Sequence, residues 1–150
     1  MIKKLLDYKN NERVIFINRY KKYNTLILSS SSFLLPSYYA YINKYYGLSV
    51  ISLLVSIIST GHWYRTSNFT LRMMDLTMAK VGFGAYFTIL ILYTKVDVFE
   101  IFLLNMMFVF YFLSNNRITN KKEDWVYYHM IFHMFVTIDQ IMTIKGLLEN

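Results

Sequence analysis

Apolar positions along the chain gather into five runs, at about 25–42, 48–64, 71–93, 98–114 and 125–144, separated by short polar links. Each run is about 17 to 23 residues long, enough at about 1.5 Å per residue to cross roughly 30 Å of hydrocarbon. The pattern predicts five transmembrane helices in one bundle, with no internal repeat and no low-complexity linker. The first run carries Ser29 to Ser32 and the only proline, Pro36. A kink near Pro36 and a small-residue packing face at the serines are expected. Asn105, in the middle of the fourth run, is expected to donate a hydrogen bond between helices. Glu123 or Asp124 is expected to favour the amino end of the fifth helix, and either is a candidate to cap it.

Ahead of these runs, residues 1–24 carry Lys3, Lys4, Lys9, Arg13, Arg19, Lys21 and Lys22 among Ile, Leu, Val and Phe. No apolar core long enough for a secretory signal follows this basic start. The segment is expected to be a basic amphipathic helix lying on the bilayer, with residues 25–150 forming the bundle. The fold class is therefore all-α, a polytopic membrane helix bundle.

Composition agrees: 55% of residues are hydrophobic and 19% aromatic, far above an ordinary soluble chain. The absence of cysteine excludes disulfides and thiolate metal sites. A net charge of +7 raises the question of nucleic acid. The basic residues sit between apolar runs instead of forming one polar surface, so the anionic bilayer is the expected partner and nucleic acid is not.

With five crossings, the amino terminus, the 65–72 link and the 115–124 link share one side. That side holds the seven basic residues above with Arg65, Arg72, Arg117, Lys121 and Lys122; the other holds Lys44, Lys95 and Lys145. This asymmetry predicts a cytosolic amino terminus and a lumenal or extracellular carboxyl terminus.

The candidate chemistry lies at the basic end. His129 and His133 stand four apart in the fifth run, so on a helix they project from one face. Two imidazoles so placed need a third to hold a metal in an open site, and His62, at the end of the second run, is the third histidine of the chain. Asp75 opens the third run, and the crossing pattern puts all four at similar depth, within roughly 5 to 12 Å of one face by helix rise. An incidental pair, with one ring packed and one solvated, is the alternative. Inside a membrane helix, however, ionisable groups are costly and by default functional or paired. Trp63 and Tyr64 are expected to anchor the interface, Lys80 to snorkel or pack, and Asp139 with Gln140 to form a polar packing pair or a contact behind the site. Two histidines one turn apart cannot bind opposite faces of a haem, which ranks a haem protein last.

Ser59, His62, Asp75 and His129-Met130-Ile131-Phe132-His133, in this order, resemble the CREST superfamily, which includes alkaline ceramidases, progestin and adipoQ receptors and myomaker-like proteins. The likeness covers roughly residues 50–140. It implies an intramembrane zinc ion on His62, His129 and His133, with Asp75 and Ser59 as catalytic residues and a membrane lipid amide as substrate. Asp75 would orient or deprotonate a zinc-bound water, and Ser59 would steady the oxyanion. This chain departs from the family in two ways: the usual serine position, four before the histidine, is Ile58, and five crossings are read where the family has seven. Two functions follow, a zinc-dependent lipid amide hydrolase or a non-catalytic membrane protein with a structural metal, serving remodelling or reception.

Overall fold

A computed structural model describes residues 2–9, 11–20 and 24–149. Lys21 and Lys22, counted above in the basic segment, lie outside the described residues. Among the described residues eight helices follow in order: α1 (Ile2–Lys9), α2 (Glu12–Tyr20), α3 (Thr25–Ser31), α4 (Leu34–Ile42), α5 (Tyr46–Tyr64), α6 (Phe69–Tyr93), α7 (Val98–Thr119) and α8 (Trp125–Leu148). Four of them, α5 to α8, are long and apolar enough to cross a membrane. The chain is an all-helical integral membrane protein.

The remaining apolar run forms two short helices, α3 and α4, in place of one. Pro36 accounts for the break: it has no N–H for the carbonyl of Ser32, four residues earlier, and its ring crowds that carbonyl. Ser32 and Phe33 form the turn between the two helices. The serine hydroxyls satisfy the loosened backbone, Ser29 and Ser30 both donating to the Leu26 carbonyl and Ser32 to that of Ser29. Together α3 and α4 run between α5 and α8. Leu26 of α3 packs with Trp63, Ile118 and Trp125 at one end, and Ala40 of α4 packs with Leu48, Tyr86 and Ile144 at the other.

The bundle interior mixes apolar clusters with hydroxylated side chains, and its exterior is apolar, as lipid requires. Ser30, Ser52, Ser56, Ser59 and Ser114 are buried, while Phe83, Phe87, Phe102, Phe108 and Phe112 face outward. Small hydroxylated residues let helices approach and bond across the gap. Ser52 meets the Tyr86 hydroxyl at 2.8 Å, Ser56 donates to the Ser30 carbonyl, and Ser32 meets Thr137 at 2.8 Å.

Helix ends show which link signals matter. The Asn68 side chain accepts from the Leu71 amide and starts α6; Asp97 and Glu100 make a reciprocal capping box that starts α7. Asp124 stands at the N-cap of α8, but its side chain does not cap; it pairs with Arg117 at 3.7 Å. Asn105 likewise departs from expectation: it is exposed and donates to its own helix, at the Ile101 carbonyl. The fourth run predicts a helix ending near Ser114, yet α7 continues to Thr119. Ile118, four residues beyond Ser114 and so on the same face, buries itself against Trp63 and Trp125 and extends the helix by more than a turn.

At the amino terminus α1 and α2 dock on one end of the bundle. Tyr8 donates to the Thr66 carbonyl at 2.6 Å, Thr66 hydrogen-bonds Asn18, Arg13 donates to Asn115, and Lys121 pairs with Glu12. The amino-terminal helices, the α5–α6 link and the α7–α8 link therefore gather at one end. At the opposite end, Tyr45 donates to the Leu147 carbonyl and Gly146 packs against Thr94.

Candidate metal and lipid site

Beneath the amino-terminal helices lies a cavity of about 110 Å³, lined among others by Tyr8, Arg13, His62, Arg72, Asp75 and His129. Its position follows from local structure. His62 sits in the last turn of α5, Asp75 in the second turn of α6 and His129 in the second turn of α8, so three helix ends deliver polar groups to one cavity. His133, one turn deeper, does not line the cavity. Its ring lies 4.7 Å from that of His129, with the planes inclined by 65°.

Trp63 is central to this arrangement. Its ring is 4.8 Å from His62, 5.1 Å from His129 and 5.9 Å from Trp125. The residue is buried, so the sequence reading of Trp63 as an interface anchor is corrected; Tyr64 is the exposed member of the pair. The indole ring packs against imidazole and indole neighbours, while its Nε1 has no hydrogen-bond partner among the described residues.

The histidines have defined partners. Ser29 Oγ stands 3.0 Å from His133 Nδ1 and also donates to the Leu26 carbonyl. With the single hydroxyl proton given to the Leu26 carbonyl, His133 Nδ1 would donate to Ser29 and Nε2 would keep a bare lone pair; the roles at this contact follow the tautomer. A metal-ligating imidazole is commonly held this way, its second nitrogen donating to a fixed acceptor. His129 Nδ1 lies 3.2 Å from the Ser114 hydroxyl. Ser59 is buried, 3.1 Å from the Ser30 hydroxyl, and it also interacts with the Asp75 carboxyl. The serine run thus connects to the site twice, a connection the sequence reading did not contain.

The donor types suit zinc: three imidazoles and a carboxylate. Their spacing does not complete a site. Among the described residues no three His, Asp or Glu side chains are disposed to hold one ion. The structure brings His129 to His133, and His62 and Asp75 to the cavity that His129 lines, without closing the set.

Around the mouth, Arg13 donates to Asn115 Oδ1 at 2.8 Å, and the Arg72 guanidinium lies over the Tyr8 ring, 5.0 Å from its centre. Burial and the neighbouring Arg72 both pull Arg13 below its ordinary value. Asp139 and Gln140 lie away from this site. Both are buried, and Asp139 is within electrostatic reach of Tyr86 and Glu100. Among the described residues Asp139 Oδ1 and Gln140 Oε1 have no hydrogen-bond partner. Lys80 is exposed on α6. No protein-family model, no curated protein and no solved structure matches this chain, so the likeness to the CREST superfamily stands on its quoted residues alone.

Proposed function

We propose that this cavity is the active site of a zinc-dependent intramembrane hydrolase acting on a lipid amide. The observation that carries the reading is the meeting of His62, Asp75 and His129 on one cavity, with the His133 ring in contact with His129. His129 and His133 would hold the ion, and His62 would complete the set. Zinc, when bound, supplies a Lewis acid and a water whose pKa falls to about 7.

The protein's own residues have separable parts in this reading. With the proton on Nδ1, Ser29 holds the ring of His133 and leaves Nε2 available. Among the described residues Asp75 is the carboxylate that lines the cavity; it would serve as proton acceptor, with Ser59 as its neighbour. Ser59 is therefore assigned to positioning Asp75, in addition to the oxyanion role that the resemblance implies. Trp63 and the helices α1 and α2 restrict water over the site, and lipid reaches it between helices. Five crossings, a cytosolic amino terminus and a lumenal or extracellular carboxyl terminus belong to the same proposal, with α3 and α4 together making the first crossing.

A specific observation favours a second reading. Because among the described residues no three ligands are disposed around one point, the chain also suits a non-catalytic bundle of the same likeness; a structural metal in it would need further ligands to close its shell. Turnover decides between them. With zinc-loaded protein in mixed micelles, long-chain ceramide should be hydrolysed, and His133→Ala should lower the rate at least about a hundredfold, the scale of losing a metal ligand's orientation. Equal rates in both proteins would end the hydrolase reading.

A further inference from the structure

We infer that Arg13 and Arg72 form an anion site at the mouth of the cavity, shaped for the phosphate of a phosphorylated lipid. The inference rests on the reading of the cavity as a lipid site and names the headgroup it accepts. Two guanidiniums, always charged, line one small cleft and lie in each other's field. Each is held by a neutral partner, Arg13 by Asn115 and Arg72 by the Tyr8 ring.

The nearby carboxylates form no ion pair with either arginine. Glu12, adjacent to Arg13, is paired with Lys121 at 2.8 Å, and Asp75, three residues beyond Arg72, lines the same cleft without an ion pair among the described residues. None of the ion pairs among the described residues includes Arg13 or Arg72. Two guanidiniums beside a single carboxylate leave the cleft cationic, so the component that would balance it is an anion, and a fork of N–H donors matches phosphate oxygens bidentately. The cleft opens at the end of the bundle where helix ends meet the polar boundary. A lipid phosphate lodged there would hang its chains beside the apolar outer faces of α6 and α7.

The test is calorimetric titration of the purified full chain in detergent with dioctanoyl phosphatidic acid, dioctanoylglycerol and inorganic phosphate. Arg13→Gln and Arg72→Gln should each weaken phosphatidic acid binding about tenfold, the value of one charge-assisted contact. Lys122→Gln, an exposed cation at the same end, should leave it unchanged, and dioctanoylglycerol should bind all of them alike. Saturation by inorganic phosphate at the concentrations where the lipid saturates would make the ligand a free phosphate; competition only at far higher concentration assigns the site to the lipid headgroup.

Phosphatidic acid binding within twofold of the parent in the double Gln variant overturns the inference, as does an equal loss in Lys122→Gln. Should the Gln variants lose dioctanoylglycerol binding as well, the Arg→Lys pair decides. These variants keep the charge without the fork, so a several-fold loss for phosphatidic acid alone supports the site and no loss contradicts it. Binding is read without turnover, so a protein that binds the lipid and cleaves nothing keeps this inference and sinks the hydrolase.

Discussion

Ser29 is the hydroxyl that faces His133 Nδ1. Its oxygen stands 3.0 Å from that nitrogen and also meets the Leu26 carbonyl, an arrangement that suits the tautomer with the proton on Nδ1. Removing that oxygen with Ser29→Ala should cost about 1 kcal/mol of stability in detergent unfolding, the usual net worth of such a bond between membrane helices. It should also release the ring to populate the other tautomer, which nitrogen NMR of His133 reads directly: one Nδ1–H species in the parent and a mixture in the variant. At this scale the His-x-x-x-His spacing was legible, because helix geometry alone puts both rings on one face. The partner was not. Ser29 and His133 are 104 positions apart, and nothing local distinguishes Ser29 from its three serine neighbours. Trp63 differs from expectation for a similar reason: an indole at the end of an apolar run suits an interface or a core equally, and only its contacts with Trp125 and His129 decide.

Among the elements, the four long helices were readable from run length alone, since lipid permits few other uses of such runs. Their ends were less so. Pro36 signalled a kink, but a full break into α3 and α4 depends also on Ser32 and Phe33 taking a turn. The extension of α7 rests on one residue, Ile118, whose value appears only once Trp63 and Trp125 are beside it. The pairing of α5 with α6 depends on Gly82, where an added Cβ would stand 3.2 Å from a methyl of Val55. Gly82→Leu should therefore wedge these helices apart and cost about 1–3 kcal/mol, as overpacked cores do. Unfolding in detergent measures this, and Gly84→Leu, at a site with no neighbour within 4 Å, should change little.

For the whole molecule, the alternation of links between two ends was derived from the count of runs, and the two ends do collect the links so assigned: Tyr8, Thr66, Asn115 and Lys121 at one, Tyr45, Thr94 and Leu147 at the other. Which end faces the cytosol was argued from basic residues alone. The chain has no cysteine, so single cysteines at Lys122 and Lys44 should label with an impermeant maleimide from opposite faces of a sealed vesicle, Lys122→Cys from the cytosolic one. Labelling of both from the same face would contradict five crossings. The metal centre is where sequence and structure part: the ligand types were legible, but whether three rings close on one point depends on side-chain reach across α5 and α8. Zinc content of the purified protein and of its His62→Ala, His129→Ala and His133→Ala variants measures this most directly. The account predicts one zinc per chain, lost in all three variants; zinc retained undiminished by His62→Ala, or absent from the parent, would contradict it.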